Sequence, residues 1–396
     1  MKAVICGAGI AGLALAWWLE RAGWEVLVVE RAPERRGAGY MIDFFGPGYD
    51  AVERMGLLPR VRERARDVAG LRYRDGGGRV TGRLPYAAFQ RLQDGRVLTM
   101  MRGDLEDVLF EALGPRVEIR HATSVEAVAE AAGHVAVTLT SGAVERADLL
   151  VGADGVHSRV RALVFGREER FLRYLGYHTA AYLFTDPEVA GCLGERTEME
   201  MLEVPGAQAG VYRLGGDVCA TVFAHRSPAG SVPEDARERL LEVYGGLGWL
   251  LPDVLAHCPP SPRLYYDEVA QIEMESWTRP RVALLGDACQ AVSLLAGQGA
   301  SMAVAAACVL AEELARDGDP VAAPLRYEAR VAPAVRRKQR AGRRAADWFV
   351  PATRGRLRLR SALLRMAAVP SLTWVLKPVL TTPADRLSGL DPRLSR

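Results

Sequence analysis

Three glycines near the N-terminus have the spacing of a phosphate-binding loop. Gly7, Gly9 and Gly12 form the pattern G-x-G-x-x-G between a β-branched apolar run and a helix-like segment. The first glycine permits a tight turn, the second lets a pyrophosphate approach the backbone, and the third lets helix and strand pack closely. Glu30 follows about 20 residues further on, where an acid can accept hydrogen bonds from ribose hydroxyls. The pattern predicts a dinucleotide-binding site.

A second stretch combines a carboxylate, two glycines and a long uncharged segment. Ala288 to Ala311 contains no charged side chain, Gly286-Asp287 precedes it, and Gly297-Gln298-Gly299 interrupts it. The segment is long enough to cross a membrane, but its glutamines and glycines are unfavourable there. We instead expect a loop followed by a small-residue helix, with glycines that let the backbone approach a flat ligand.

The remaining reactive side chains do not form a metal site. The six cysteines and six histidines are scattered, with no Cys-x-x-Cys pair and no Cys/His cluster. This pattern indicates buried free thiols in a reducing compartment. The apolar N-terminus resembles a signal peptide, but glycines interrupt it and no small-residue cleavage site follows. We therefore expect a cytoplasmic protein that binds no metal.

The elements that would position these residues can be read from the hydrophobic pattern. "KAVIC" predicts a buried strand, "IAGLALAWWLERAG" a helix that ends at Gly23, and "WEVLVVER" a second strand that ends in an acid. Together they predict a βαβ unit. "TMMRGDLEDVLFEAL", Thr99 to Leu113, predicts an amphipathic helix with Asp104 near its N-cap. "ADLLVGAD" and "VALLGDA" predict later strands that each end at an aspartate.

The length of the chain and its local sequence patterns predict a division into domains. The 396 residues are 49% hydrophobic and 25% charged with a formal net charge of +3, which is typical of a globular protein of two or three domains. From Phe171 to about Ala270, short alternating strands with Gly/Pro turns predict a mainly β domain. The expected division is 1–170 with 271–330 as a discontinuous nucleotide-binding domain, 171–270 as the β domain, and 331–396 as a helical segment.

Three motifs in this order resemble the signatures of one family. The glycine fingerprint, Asp154-Gly155 after a strand, and Gly286-Asp287 after a later strand resemble the flavin-dependent aromatic hydroxylases, the single-component class A monooxygenases. The resemblance covers Met1 to about Leu314. "GYMIDFFGPGYDAVERMGLL" is most similar to the branch that contains tetracycline-modifying hydroxylases and actinobacterial tailoring enzymes. The family resemblance implies an α/β fold. It would consist of a Rossmann-like FAD-binding domain of the para-hydroxybenzoate-hydroxylase type, a second, mainly β substrate domain and a C-terminal helical segment.

The resemblance also implies which residues bind FAD. The glycine fingerprint would hold the pyrophosphate and Glu30 the ribose, while Asp154 would serve both FAD and the nicotinamide cofactor. Asp287 would accept a hydrogen bond from a ribityl hydroxyl, and the helix that starts near Gly299 would point its N–H groups at the flavin. The full expected set is Gly7, Gly9, Gly12, Glu30, Arg31, Arg102, Asp154, Asp287, Gly297, Gly299 and Ala300. Arg31 and Arg102 have the alternative interpretation of surface charges.

The sequence departs from the family pattern beside the predicted flavin site. Many members have a histidine after Gly-Asp-Ala-x and prolines before Gly-Gln-Gly, whereas this chain has Gln290, Ser293 and Leu294. No histidine role near the flavin is therefore expected. FAD binding is still expected despite these differences, because its contacts should come mainly from the backbone and Asp287.

The implied reaction is hydroxylation of an aromatic or polyketide-like small molecule. NADH or NADPH would reduce FAD, and O₂ would add to give a flavin C4a-hydroperoxide whose distal oxygen is transferred to the substrate. The sequence does not allow a catalytic side chain to be assigned. Tyr182, Met201, Tyr212 and Arg213 on the middle sheet are candidates for substrate contact, with His225 behind them, and ordinary sheet packing is the alternative for each.

Two other functions use the same motifs. A FAD-dependent reductase or dehydrogenase would share the scaffold without using O₂, and a redox sensor would bind the dinucleotide without turnover. A related halogenase is disfavoured because no Trp-x-Trp-x-Ile-Pro element occurs. Oxygen consumption coupled to NADPH oxidation would separate the monooxygenase from the reductase or dehydrogenase.

The C-terminal segment is rich in arginine. Arg336 to Arg344 contains five arginines and one lysine, and four further arginines alternate from Arg354 to Arg360. We expect a solvated helix packed on the FAD domain, with weak contact to a membrane surface or an acidic partner as the alternative. Nucleic acid binding is not expected, because the net charge is near balance and no binding motif occurs. The protein would be a monomer or a homodimer.

Overall fold

The computed structural model describes residues 1–35, 39–194, 197–228, 230–293 and 297–367. The strands, numbered in chain order, are β1 Lys2–Cys6, β2 Glu25–Val29, β3 Met41–Phe45, β4 Gly70–Arg74, β5 Val80–Pro85, β6 Val97–Met101, β7 Val117–Arg120, β8 Val125–Ala131, β9 His134–Leu139, β10 Val144–Ala147, β11 Leu149–Gly152, β12 Leu172–Ala181, β13 Leu183–Thr185, β14 Glu198–Val204, β15 Ala207–Gly215, β16 Val218–Arg226, β17 Tyr265–Ile272, β18 Thr278–Arg279 and β19 Val282–Leu284.

The α-helices are α1 Ile10–Arg21, α2 Pro47–Arg54, α3 Leu58–Arg64, α4 Tyr86–Leu92, α5 Arg102–Glu111, α6 Arg159–Val164, α7 Pro187–Leu193, α8 Ala236–Tyr244, α9 Leu251–Ala256, α10 Asp287–Gln290, α11 Gly299–Asp317, α12 Ala322–Phe349 and α13 Arg354–Ala367. Short 3₁₀ turns occupy Glu168–Arg170 and Ser261–Arg263.

The first sheet is the Rossmann-like platform that the βαβ pattern predicts. Its strand order is β18-β19-β11-β1-β2-β7, and all neighbours except the antiparallel pair β18 and β19 are parallel. The central strands read as continuous apolar runs because other elements cover them, namely α1 and the antiparallel sheet of β8, β9 and β10, whose Val135, Val137 and Leu139 belong to the same core. Helix α1 is buried from Ile10 to Glu20 and packs against α11. The platform therefore brings the N-terminal βαβ unit and the Gly286-Asp287 strand into one sheet.

The second sheet is mainly antiparallel and lies beside the first. Its order is β17-β12-β16-β15-β14-β4-β5, with β13 paired to β16, and its one parallel pair is β14 with β4. Helices α7, α8 and α9 cover one face, which we name the outer face, through a core that includes Phe223, Leu240 and Val254. The opposite, inner face packs on the two-stranded β3–β6 ribbon and on α13.

The sheet pairing corrects one part of the expected domain division. Strands β4 and β5 fall within the segment 1–170 that we assigned to the nucleotide-binding domain, but they extend the second sheet. The register pairs Gly70 with Glu198, residues that are far apart in the sequence. No local pattern reports such a pairing, because a strand is compatible with many partners. The remainder of the division stays a proposal.

Two helix boundaries also differ from the sequence-based expectations. The segment from Thr99 begins as the end of strand β6, and helix α5 begins only at Arg102, with Asp104 in a capping box. Helix α12 begins at Ala322, before the expected boundary at residue 331, and packs on α11. The apolar face of α12 includes the fully buried Tyr327 and Val331, so this helix is part of the core rather than an appendage.

The long uncharged segment is a buried helix of the fold. Helix α11 is buried from Ser301 to Leu314, between α1, α2 and α12. Its alanines bring these neighbours close, as small residues allow. Across the described parts of the chain, no helix has both the length and the apolar composition needed to span a bilayer.

Candidate functional site

The glycine fingerprint forms a turn that no other residue would permit. Gly7 has φ of 109°, and a Cβ there would lie 2.4 Å from the carbonyl oxygen of Ala153. A Cβ on Gly12 would lie 2.0 Å from the carbonyl oxygen of Gly7. Gly9 is the N-cap of α1, and no side chain caps that end of the helix. The positive end of the α1 dipole therefore faces the cleft that the loop borders, which favours an anion such as a pyrophosphate.

Glu30 ties the glycine loop to the end of β2. One carboxylate oxygen accepts from the backbone N–H of Ala8 and the other from that of Ala32, each at 2.8 Å. Both oxygens retain further lone pairs for ribose hydroxyls. Its ribose contact stays a prediction. Arg31 next to it is exposed, and neither interpretation of that arginine is tested by its position.

Arg102 and Asp287 both line the cleft, near enough for their charges to interact. Arg102 starts α5 and pairs with Glu106 at 2.9 Å. Asp287 starts α10 directly after Gly286, whose φ of 63° sets the turn. The cleft walls desolvate the Asp287 carboxylate and raise its pKa above its usual range, while the charge of Arg102 opposes that rise. Asp287 lines the cleft, and no other group in the described parts of the chain donates a hydrogen bond to its carboxylate.

The N-terminus of α11 completes one wall. Gln298 is its N-cap without a side-chain capping bond, and Gly297 has φ of 63°. Gly297, Gly299 and Ala300 all line the cleft. A Cβ on Gly299 would lie 3.6 Å from a carboxylate oxygen of Asp287. The backbone of this loop can therefore approach a flat ring closely, with the helix N–H groups directed at its edge.

Asp154 contacts the protein rather than the cleft. Its carboxylate accepts from the Ser158 hydroxyl at 2.5 Å and from the N–H groups of Arg159 and Val160 at 2.7 and 3.1 Å. These contacts cap α6, as a carboxylate at a helix N-terminus does. Its neighbours Gly155 and Val156 line the cleft. The structure thus gives Asp154 a role in shaping the wall, and direct cofactor contact by Asp154 stays a prediction.

Arg161 links the two aspartate motifs, and sequence reasoning did not select it. The side chain is fully buried. It donates to the carbonyl oxygens of Ala288 and Val156 and to the carboxylate of Glu168, at 2.7 to 2.9 Å. A buried guanidinium requires such partners. The only signal was an arginine on the short helix after Asp-Gly, at a position that the fold buries.

These elements enclose one cleft between the two sheets. Its volume is about 1030 Å³, including space open to solvent. Tyr40 and Tyr265 form part of its wall, with ring centroids 5.8 Å apart. Sequence reasoning missed both tyrosines because they lie in loops and at a strand end without a motif. Lining residues include Gly9, Ile10, Ala11, Tyr40, Ile42, Arg102, Gly155, Val156, Thr179, Tyr265, Asp267, Asp287, Ser293, Gly297, Gly299 and Ala300.

The lining residues fit FAD. The glycine cradle and the α1 N-terminus suit a pyrophosphate, and the Asp287 carboxylate suits a hydroxyl donor. The uncharged loop before α11 suits the isoalloxazine, beside which a buried charge would be unfavourable.

The predicted substrate residues are not brought together. Tyr182 lies on the outer face, where its hydroxyl donates to the Val254 carbonyl at 2.8 Å. Arg213 also faces away from the ribbon and donates to the carbonyl oxygens of Gly216 and Gly194. These positions correct the prediction for Tyr182 and Arg213, because alternate residues of a strand point to opposite faces.

Met201 and Tyr212 do lie on the inner face. Tyr212 accepts a hydrogen bond from the Met41 N–H at 3.0 Å, and Met201 packs beside Tyr73 and Leu364. Their substrate contacts stay predictions. His225 is buried behind the sheet, where desolvation lowers its pKa to about 4, so it is neutral at neutral pH.

His157 follows β11 of the first sheet and contacts Asp267 on β17 of the second sheet. Its Nδ1 lies 2.9 Å from Glu168 and its Nε2 3.3 Å from Asp267. The hydrogen bond to Asp267 and, less strongly, that to Glu168 raise its pKa to about 9. The imidazole is therefore protonated at neutral pH and bridges two carboxylates.

This bridge predicts a pH-dependent contribution to stability. The pKa of His157 is about 9 when folded and about 6.5 when unfolded. The contribution is therefore fully present below about pH 6.5 and is lost as the pH rises through about 9. The side chain is half exposed, so we expect only about 0–1 kcal/mol. Thermal melting of wild type and His157→Gln should differ most at the acidic end, with His134→Gln as control. A difference that does not change with pH would contradict the bridge.

Comparisons with known proteins agree with this geometry. Residues 1–237 match the family model described as "FAD binding domain". An uncharacterized protein of Mycobacterium tuberculosis is 35% identical over 329 residues, which is 80% of this chain and 85% of that protein. A flavin-dependent monooxygenase from an unknown prokaryotic organism is 30% identical over 357 residues, 88% of this chain and 90% of that protein.

A solved structure extends the agreement to the whole fold. The crystal structure of the tetracycline destructase Tet(51) superposes with a TM-score of 0.80 and 26% identity, covering 96% of this chain and 99% of that one. The match therefore includes both sheets and the C-terminal helices. The chain belongs to the FAD-binding-domain family and is a FAD-dependent monooxygenase.

Proposed function

We propose that this monooxygenase uses NADH or NADPH to reduce FAD and transfers one oxygen atom of O₂ to an aromatic or polyketide-like small molecule. The observation that carries the proposal is the composition of the cleft. Its lining combines a glycine loop and a helix N-terminus with the uncharged loop before α11 and two tyrosine rings. This arrangement suits a long cofactor with an anionic end and a flat end.

The residues that would hold FAD come from both motif regions and from α5. The α1 N-terminus would meet the pyrophosphate, Arg102 would reach the phosphate or ribityl region, and Asp287 would accept from a ribityl hydroxyl. Gly297, Gly299 and Ala300 would lie beside the ring system. The structure supports this set because the cleft is lined by Gly9, Arg102, Asp287, Gly297, Gly299 and Ala300.

When bound, FAD supplies the redox chemistry, accepting electrons from the nicotinamide nucleotide and activating O₂. The chain contributes position, charge and exclusion of water. The α11 N-terminus favours negative charge at the ring edge that it faces. Tyr40 and Tyr265 narrow the cleft, which limits the access of water to the reacting atoms.

The substrate would bind against the inner face of the second sheet. Met41, Met101 and Tyr212 cluster where the β3–β6 ribbon meets that face. Methionine side chains adapt to irregular apolar shapes and contact aromatic rings favourably. A flat, partly apolar ring system suits such a surface. The tetracycline destructase Tet(51), which shares the fold, is named for tetracycline, and this supports a polyketide-like substrate here.

The test is a screen for substrates that stimulate NAD(P)H oxidation. Purified protein should be yellow, and phenolic or polyketide compounds should accelerate NADPH or NADH oxidation in air by at least about tenfold over the rate without substrate. With ¹⁸O₂, the product should gain one labelled oxygen atom. Mass spectrometry of the product checks this result, and the same compounds in the absence of O₂ serve as the control.

Other outcomes identify the alternative functions. Reduction of a compound under anaerobic conditions, with no labelled product in air, would assign a reductase or dehydrogenase. FAD binding without any NAD(P)H turnover across the panel would favour a redox sensor. Either result would contradict the monooxygenase reaction proposed for this site.

A further inference from the structure

A carboxylate lies against the N-terminal end of α1, where the pyrophosphate of FAD is expected. Glu106 is on α5, which packs beside α1. A Cβ placed on Gly9, the N-cap of α1, would lie 3.4 Å from a carboxylate oxygen of Glu106. The Glu106 side chain is only 15% exposed. The glycine that would let a phosphate approach this helix end therefore also leaves room for the Glu106 carboxylate.

The same carboxylate binds the arginine that is expected to reach FAD. Arg102 lies one helical turn before Glu106, and its Nη2 is 2.9 Å from the Glu106 carboxylate. That nitrogen would lie 3.6 Å from a Cβ on Gly9. Arg102, Gly9 and Ile10 all line the cleft. Glu106 is thus next to both positive features beside the glycine loop, the guanidinium of Arg102 and the N-terminus of α1.

The surroundings of Glu106 contain charges of both signs. Desolvation raises the pKa of Glu106 above its usual range. The charges of Arg102 and Arg35 and the backbone N–H of Ile10 oppose this rise. The carboxylate of Glu30 adds to it. A pyrophosphate at the α1 N-terminus would be a further negative charge close to this carboxylate, and like charges at short range repel strongly where little water screens them.

We propose that Glu106 lowers the affinity of the cleft for the pyrophosphate of FAD, because it competes for Arg102 and for the N-terminus of α1. Carboxylate and phosphate oxygens need the same donors, and two neighbouring anions oppose each other. Glu106 would therefore weaken the binding of every ligand that carries a pyrophosphate, and FAD would depend more on its contacts with Asp287 and the start of α11. The inference rests on the proposed function, since it requires FAD in this cleft with its pyrophosphate at the α1 N-terminus.

The test measures the affinity of the FAD-free protein for two ligands that share a pyrophosphate, FAD and ADP. Glu106→Gln keeps the size of the side chain and an acceptor oxygen for Arg102 but removes the negative charge. It should tighten the binding of both ligands by about tenfold. Glu111→Gln makes the same change at the exposed end of α5 and should leave both affinities unchanged. Fluorescence titration gives the affinity for FAD, and competition with FAD gives that for ADP.

Three outcomes would overturn the inference. They are unchanged or weaker FAD binding by Glu106→Gln, tighter binding of FAD without tighter binding of ADP, and an equal gain in Glu111→Gln. Melting temperatures of the FAD-free proteins show whether the fold is retained, and if Glu106→Gln does not fold, Glu106→Met carries the same comparison. A wild-type protein that binds neither FAD nor ADP would instead refute the proposed site, whereas FAD binding that Glu106→Gln leaves unchanged would refute only the role of Glu106.

Discussion

Asp287→Ala should weaken FAD binding by about 10- to 100-fold while leaving the fold intact. The carboxylate faces the cleft at the start of α10, and its desolvation there raises its pKa, as expected for an acceptor placed to meet a donor. A hydrogen bond that involves a charged group contributes about 1.5–3 kcal/mol, and each 1.4 kcal/mol is about tenfold in affinity. Fluorescence titration of the apoprotein with FAD measures the change.

Two variants distinguish a cofactor contact from a general loss of charge. Asp287→Asn keeps an acceptor oxygen of the same shape and should lose less affinity than Asp287→Ala. Asp253→Ala removes an exposed carboxylate from α9 behind the second sheet and should leave FAD affinity unchanged. Wild-type FAD retention by Asp287→Ala, with an unchanged melting temperature, would exclude the ribityl contact.

The local part of the fold follows from the sequence. The βαβ unit, the turn after each strand and the uncharged helix all depend on residues within one short segment. Gly7 and Gly12 must be glycines because a Cβ on Gly7 would clash with the backbone of residue 153, and one on Gly12 with the backbone of residue 7. The clash at Gly7 follows once the parallel sheet is assumed. The three motifs also converge on one cleft, because the carboxyl ends of parallel strands meet at the same edge of a sheet.

The long-range part of the fold could not be predicted in the same way. Strands β4 and β5 extend a sheet whose other strands begin about a hundred residues later. Their own residues do not indicate that β4 pairs with β14. Tyr182 was assigned to the substrate side, but it directly follows the last residue of β12, and its ring packs into the core of the outer face. A shift of one residue in register would reverse that assignment, so residue type alone could not decide it.

The basic C-terminal segment is a second case in which long-range contacts could not be predicted from the sequence. Composition predicted a solvated surface, and Arg336, Arg340 and Arg354 are indeed exposed. Lys338 and Arg360, however, are buried, the latter in an ion pair with Glu203 and in hydrogen bonds to the carbonyl oxygens that end α12. A run of charges does not reveal which side chains turn inward, because that depends on acceptors from other elements.

Gly12→Ala should abolish measurable FAD retention and destabilise the protein by at least about 2–3 kcal/mol. The added Cβ would lie 2.0 Å from the Gly7 carbonyl oxygen and 3.3 Å from the Ile5 side chain. Both α1 and the loop are held by the sheet and by α11, so neither can move away without disturbing the core. Forcing atoms into a packed core costs about 1–3 kcal/mol, and here the obstacle is rigid backbone rather than a side chain.

A matched glycine in another helix separates this steric effect from the substitution itself. Gly191 lies within α7, and a Cβ there would meet nothing within 4 Å. Gly191→Ala should therefore be neutral or stabilise the protein by about 0.5–1 kcal/mol, since alanine is the better helix former. Urea denaturation and the FAD absorbance of the purified variants measure both effects. Equal stability of the two variants, with FAD retained by Gly12→Ala, would mean that the helix and the loop do not approach as closely as this fold requires, and the dinucleotide site would lose its structural basis.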